Sequence, residues 1–321
     1  MKTKQFMLLL ILSMLFLASC STPQAPAGTA QASGKLKVVA TNSIVADVVR
    51  QVGGDAIDLS QLIPLGSDPH SFEPSPQDIA QVADADVVFM NGVGLEEFIQ
   101  PLLENAGGKA KLVSVSDGIS LLELDPSAEA LEAEEHQGEA PTGEEHSSDP
   151  HVWMDPNNVI VWAQNIAATL SELDTANAST YQANAAKYQQ QLKDLDAWIQ
   201  QQVAQIPAEN RKIVTDHVIF GYFSARYGFT QVGAVVPGYS TMAEPSAKDL
   251  ASLEDTIRQL GVKAIFVGKT INPTLEQRVA EDTNIQLVFV YTGSLSESGG
   301  PADHYLSFIK YNVEALVSAL K

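Results

Sequence analysis

The 321-residue chain contains a single cysteine, Cys20, so an intramolecular disulfide is excluded. Basic side chains are also scarce: 19 Lys+Arg stand against 39 Asp+Glu, a formal net charge of −20. With no basic excess to displace counterions from phosphates, nucleic-acid binding is disfavoured. Long apolar runs are missing. The longest, Met7 to Leu17, is broken by Ser13 and is too short to span a bilayer comfortably. Neither the His-Glu-x-x-His motif of zinc peptidases nor the Gly-x-Ser-x-Gly elbow of hydrolases occurs. What the chain does have is apolar bulk. Hydrophobic residues make up 45%, which rules out general disorder and allows two domains with sizeable cores.

The N-terminus reads as an address label. Lys2 and Lys4 precede the short apolar run, which ends in Leu17-Ala18-Ser19-Cys20. Residues 1–19 have the layout of a signal peptide. The tetrapeptide resembles the bacterial lipobox, which implies cleavage before Cys20, lipidation of its thiol, and an extracytoplasmic protein anchored to the membrane by lipid. Residues 20–34 are rich in Ala, Pro, Gly, Ser and Thr, carry no charge, and read as a tether.

From Lys35 onward short β-branched runs alternate with helical patterns. Strands are expected at 37–41, 57–63, 86–91 and 111–114, with helices at 43–52, 75–83 and 96–105. A second series follows Pro207. Strands are expected at 212–215, 230–236, 264–267 and 286–291, with helices at 220–227, 246–260, 273–282 and 302–320. This is an α/β pattern of two lobes, each a four-stranded, mainly parallel sheet flanked by helices. The lobes would cover 35–155 and 207–321, with a helical connector at 156–206 made of helices at 158–172 and 178–205. In the longer helix Tyr181, Ala185, Tyr188, Leu192, Leu195, Ile199 and Val203 recur every three or four residues as one apolar stripe. Its length suits an interlobe strut; a helical hairpin packed on one lobe is the alternative. Between 123 and 149 the alternation fails. That stretch holds ten acids (Glu123, Asp125, Glu129, Glu132, Glu134, Glu135, Glu139, Glu144, Glu145 and Asp149), no Lys or Arg, and two histidines, His136 and His146. It reads as a surface loop.

Six histidines occur in all, and three stand in loops or at strand ends, where open parallel sheets bind ligands. The tetrapeptide Ser-Asp-Pro-His occurs twice, at Ser67–His70 and Ser148–His151, and His217 follows the strand Ile213-Val214-Thr215. Three imidazoles drawn from both halves would form a site between lobes and suit a borderline ion such as Zn²⁺, with one position left open. Asp68, Asp149, Asp155 and Asp216 are near enough in sequence to orient the rings, though Asp-Pro pairs also simply form turns.

These segments carry a resemblance. The lipobox, Val38-Val39-Ala40-Thr41-Asn42-Ser43, Asp68-Pro69-His70-Ser71-Phe72-Glu73-Pro74, Asp149-Pro150-His151-Val152-Trp153-Met154-Asp155-Pro156 and His217-Val218-Ile219-Phe220-Gly221-Tyr222-Phe223 resemble the zinc/manganese-binding lipoproteins of bacterial ABC importers. The resemblance implies two α/β lobes joined by a rigid interlobe helix, small rearrangements on metal release, and metal in the cleft on His70, His151 and His217. It also implies an ABC permease and its ATPase as partners; a monomer is expected. One position departs from the family pattern. The family's fourth ligand is an Asp after the last strand, and here Gly293 stands in that place. Water, the acidic loop, Asp303, His304, Asp68 or Asp216 are the candidates to replace it. The nitrogen-rich remainder favours Zn²⁺ over the oxygen-preferring Mn²⁺, with Mn²⁺ or Fe²⁺ binding as the closest rival. The acidic loop with His136 and His146 resembles the metal-collecting insertion of zinc-specific members. A zinc hydrolase shares the three-histidine pattern and is the rival function class.

Overall fold

Parallel sheets need both faces covered, and the strands here are apolar enough to be covered. The computed structural model describes residues 34–123 and 148–321. The first sheet holds β1 (Leu36–Ala40), β2 (Ile57–Gln61), β3 (Val87–Met90) and β4 (Lys111–Ser114), in the order β2-β1-β3-β4. The second holds β5 (Lys212–Thr215), β6 (Thr230–Ala234), β7 (Ala264–Gly268) and β8 (Gln286–Val290), in the order β6-β5-β7-β8. Every pairing is parallel. The two halves thus share one strand order, and in both the loops at the carboxyl ends of the strands are free to bind.

Helices cover these sheets. The first lobe carries α1 (Ser43–Gly53), α2 (Pro76–Ala83) and α3 (Ile99–Ala106). Next come α4 (Pro156–Leu173) and α5 (Ala178–Val203). The second lobe carries α6 (Gly221–Tyr227), α7 (Ala247–Leu260), α8 (Thr274–Thr283) and α9 (Tyr305–Leu320). Local chemistry sets several starts. Ser75 and Ser246 each close a capping box with an Asp three residues on. Asp155 accepts the Asn157 N–H at 2.8 Å and caps α4, with Pro156 at the first helical position. Asp155 is thus used by the helix.

The 26-residue α5 spans about 39 Å and packs most extensively on α4, which precedes it through a short turn. It also touches α1 of the first lobe and α9 of the last. Strut and hairpin are therefore both present. All seven residues of its apolar stripe are buried. They join a single apolar core that also takes in Val45, Val48 and Val49 of α1, Trp162 and Ile166 of α4, Phe223 of α6, and Tyr305, Phe308 and Val313 of α9. Each lobe adds one smaller apolar layer of its own, around Val88 and Leu102 in the first and around Ile257 and Ile265 in the second. Residues 35–321 form one compact unit built on that shared core.

Helix α3 begins three residues later than its apolar period suggests, and Glu96 is the reason. Its side chain turns inward and is 4% exposed. The carboxylate accepts from Thr41 Oγ1 (2.6 Å), Asn91 N (2.9 Å), Gly92 N (3.1 Å) and Asn42 Nδ2 (3.3 Å). It ties the ends of β1 and β3 together beneath the cleft, and burial raises its pKa above the usual carboxylate range. Glu96→Ala strands these buried donors. It is expected to lower unfolding free energy by about 3 kcal/mol, measured by chemical denaturation. A loss under half that would mean that water replaces the carboxylate.

Candidate metal centre

Three loops meet where the two sheets present their carboxyl ends. The β2–α2 loop, residues 62–75, carries His70. Residues 148–151 carry His151 and are stitched to the segment after β4: Glu123 and Ser148 form an antiparallel bridge, and Asp149 N donates to Leu122 O at 2.9 Å. The bridge thus joins position 148 to position 123. His217 lies two residues beyond β5.

The three rings converge. His151 Nε2 lies 3.2 Å from His70 Nε2 and 3.3 Å from His217 Nε2. One ligand atom from each of the three residues lies within 4.8 Å of the others. His151 and His217 are 0% and 3% exposed, and His70 is half-buried. Adjacent aspartates orient the two buried rings. His151 Nδ1 lies 2.8 Å from Asp149 Oδ1, and His217 Nδ1 lies 2.8 Å from Asp216 Oδ1. With the ring proton on each Nδ1, donated to carboxylate, both Nε2 atoms present bare lone pairs to each other. Facing lone pairs at that distance repel unless a cation lies between them. Two nitrogens on one tetrahedral zinc, at its usual bond length, stand about 3.3 Å apart, so the spacing fits such an ion.

The surroundings shape the charge and orientation of these groups. Burial and the neighbouring His217 push the His151 imidazole well below the usual 6.5, so it stays neutral. Burial pushes the Asp149 carboxyl up to about 7. Gly221 makes room for it: a Cβ there would lie 2.3 Å from Asp149 Oδ2. Asp216 Oδ2 accepts from Gly268 N at 2.6 Å, which fixes the aspartate that fixes His217. The cleft, lined also by Trp153, Ile219, Thr270, Ile271 and Thr292, leaves essentially no free volume between its side chains. Organic-ligand sites need roughly 300–1,000 Å³, so a cleft this tight is too small for one and suits an ion.

The remaining candidates lie elsewhere or serve other bonds. Asp303 accepts from Gly299 N at 3.0 Å, and His304 Nδ1 accepts from Ser307 N at 2.9 Å. Both thus serve the start of α9 and are outside the converging group. Asp68 accepts the His70 N–H at 3.1 Å. Gly293 lines the cleft but is closed off by Pro69, whose Cδ would lie 2.8 Å from a Cβ at that position. Cys20, His136, His146 and most of the acidic loop fall outside the described residues. Two contributors escape a reading of the sequence. Trp153 stacks edge-on against His151 at 5.3 Å and donates from Nε1 to Thr292 O at 3.0 Å. Tyr222 OH accepts from Leu122 N (3.1 Å) and donates to Asp149 O (2.9 Å), pinning both sides of the bridge. The partners of Tyr222 are 100 and 73 residues away, so no local pattern announces it.

Comparison with known proteins agrees with this architecture. The family model for ZnuA, the periplasmic zinc-uptake complex component A, matches residues 38–319. The chain is 35% identical to the metal ABC transporter substrate-binding lipoprotein ScbA of Streptococcus cristatus, over 100% of this chain and 99% of that one. It is 34% identical, with the same coverage, to the manganese ABC transporter substrate-binding lipoprotein PsaA of Streptococcus pneumoniae serotype 4. Among solved structures it is similar to the periplasmic zinc-binding protein TroA of Treponema pallidum, with a TM-score of 0.78 and 27% identity, over 89% of this chain and 99% of that one. The paired parallel sheets, the shared connector and these matches make the chain a member of the ZnuA family, a metal-binding substrate-binding lipoprotein of an ABC transporter and not an enzyme.

Proposed function

We propose that the protein captures Zn²⁺ through His70, His151 and His217 and hands it to an ABC permease driven by a cytoplasmic ATPase. On this reading residues 1–19 are removed as a signal peptide, lipidated Cys20 holds the mature monomer at the outer face of the cell membrane, and residues 20–34 are its tether. His136 and His146, in the acidic segment next to His151, would collect cations, since a concentration of negative charge raises the local cation level. The observation that carries the zinc assignment is the donor set: three imidazole nitrogens, with Pro69 packed where a fourth, carboxylate ligand would project from position 293. Nitrogen donors favour zinc, whereas manganese prefers oxygen. Manganese is the second reading, because PsaA, 34% identical, is named for it; iron would use the same groups.

Equilibrium competition between Zn²⁺ and Mn²⁺, read by elemental mass spectrometry, tests this. One zinc per chain is expected at equimolar metals; a manganese-loaded product would overturn the zinc assignment. Gly293→Asp adds an oxygen donor but forces Pro69 to shift. It is expected to narrow the zinc-over-manganese preference by about tenfold. Gly293→Ala, which brings the crowding without the carboxylate, serves as its control and is expected to leave the ratio unchanged.

A further inference from the structure

The two Asp-Pro-His segments hold their histidines alike but use their second carboxylate oxygen differently. In each, Oδ1 of the aspartate accepts the backbone N–H of the histidine two residues on, at 3.1 Å for Asp68 and His70 and at 2.9 Å for Asp149 and His151. Oδ2 of Asp149 is buried against Gly221 and makes no hydrogen bond. Oδ2 of Asp68 reaches across the cleft and accepts the hydroxyl of Thr241, in the loop after β6 of the second lobe. We propose that Thr241 is a positioning residue for metal retention: through Asp68 it latches His70 into the site, and breaking that bond precedes release of the ion. The proposal rests on the reading of His70 as a ligand.

His70 is the least buried of the three histidines. His151 and His217 are buried at 0% and 3% exposure, whereas His70 is half-buried on an irregular loop. The lobes themselves are joined through one apolar core, so opening them as rigid halves would break packing on both sides of α5. Undocking the 62–75 loop breaks much less. Among the described residues, several contacts tie that loop to the second lobe besides the edge contact between the His70 and His217 rings. Gly66 N donates to Ser294 Oγ at 2.9 Å, Pro69 lies against Gly293, and Asp68 accepts from Thr241. The first tie is four residues from His70, and the second is a nondirectional contact. Asp68 joins the His70 backbone to the opposite lobe through one side chain.

The experiment follows zinc release from the full-length protein into excess chelator by stopped flow. Thr241→Val keeps the shape and removes the donor. It is expected to speed release about tenfold, the size of one partly exposed hydrogen bond to a carboxylate. Thr241→Ser restores the hydroxyl and is expected to stay within about twofold of the parent. In a His70→Ala background, which releases zinc faster still, adding Thr241→Val is expected to change nothing, because the latch has no ligand left to hold. A parental rate for Thr241→Val beside a fast His70→Ala overturns the latch and leaves the ligand assignment standing. Equal acceleration by Thr241→Val in both backgrounds also overturns it, since Thr241 would then act independently of His70. If His70→Ala releases zinc at the parental rate, the ligand reading of His70 is wrong and the latch falls with it.

Discussion

His151→Ala is expected to weaken zinc binding by about a thousandfold, the largest effect of any single substitution at the site. A bound structural zinc is worth on the order of 10–16 kcal/mol spread over its ligands, so one imidazole of three carries about 4 kcal/mol. His151 is the ring to remove because both short nitrogen–nitrogen contacts run through its Nε2. It is also fully buried, so no outer side chain can swing in to replace it. His70→Ala, at the half-buried edge, leaves space that water can fill and is milder for that reason. Competition against a chromophoric chelator at neutral pH measures the change, with circular dichroism confirming that the metal-free variant is folded. A dissociation constant within tenfold of the parent would mean that the ion sits elsewhere.

Acid is expected to empty the site. Imidazole must be neutral to ligate, so protons and metal compete, and affinity should fall by about two orders of magnitude between pH 7 and pH 5. Metal-free stability should respond far less, because two shifts oppose each other. His151 titrates well below 6.5 in the fold, so the unfolded chain takes up a proton first as pH drops. Its contribution to stability is full above 6.5 and is lost as pH falls below it. Asp149 behaves in the opposite sense. Its folded value of about 7 lies above the ordinary 3.8, so the fold holds a proton that the unfolded chain has lost. That contribution is full below 3.8 and fades as pH rises towards 7. Between roughly pH 4 and 6.5 the two compensate. The gap in melting temperature between zinc-loaded and stripped protein should therefore close on acidification mainly because the loaded form falls. A gap that stays constant from pH 7 to pH 5 would rule out imidazole ligation.

Much of the fold was legible because it is local. Among the described residues the eight strands are short runs rich in β-branched or apolar side chains, and their alternation with amphipathic segments dictates parallel sheets. The three histidines stood out because one tetrapeptide occurs twice and the third follows a buried strand. Illegible features are those whose cause is distant in the chain. Glu96 reads as the first turn of a helix, yet its carboxylate is spent on β1 and β3, and the helix waits until Ile99. Asp155 reads as a partner for an imidazole and instead caps α4. The reason that glycine suits position 293 is Pro69 in the other lobe, and the partner of Asp68 is 173 residues away. Periodicity and capping describe neighbours within a turn or two; they carry no information on which loop meets which.

The shared core has a consequence for how the protein is made. Val45, Val48 and Val49 of α1 bury themselves in a cluster completed by Tyr305, Phe308, Ile309, Val313 and Leu316 of α9, almost at the C-terminus. A nascent first half cannot cover that apolar face from its own residues. Folding of that core is therefore a late event: the last helix to be made is the piece that seals the first. A truncation near residue 305 would expose the oldest part of the fold along with the newest.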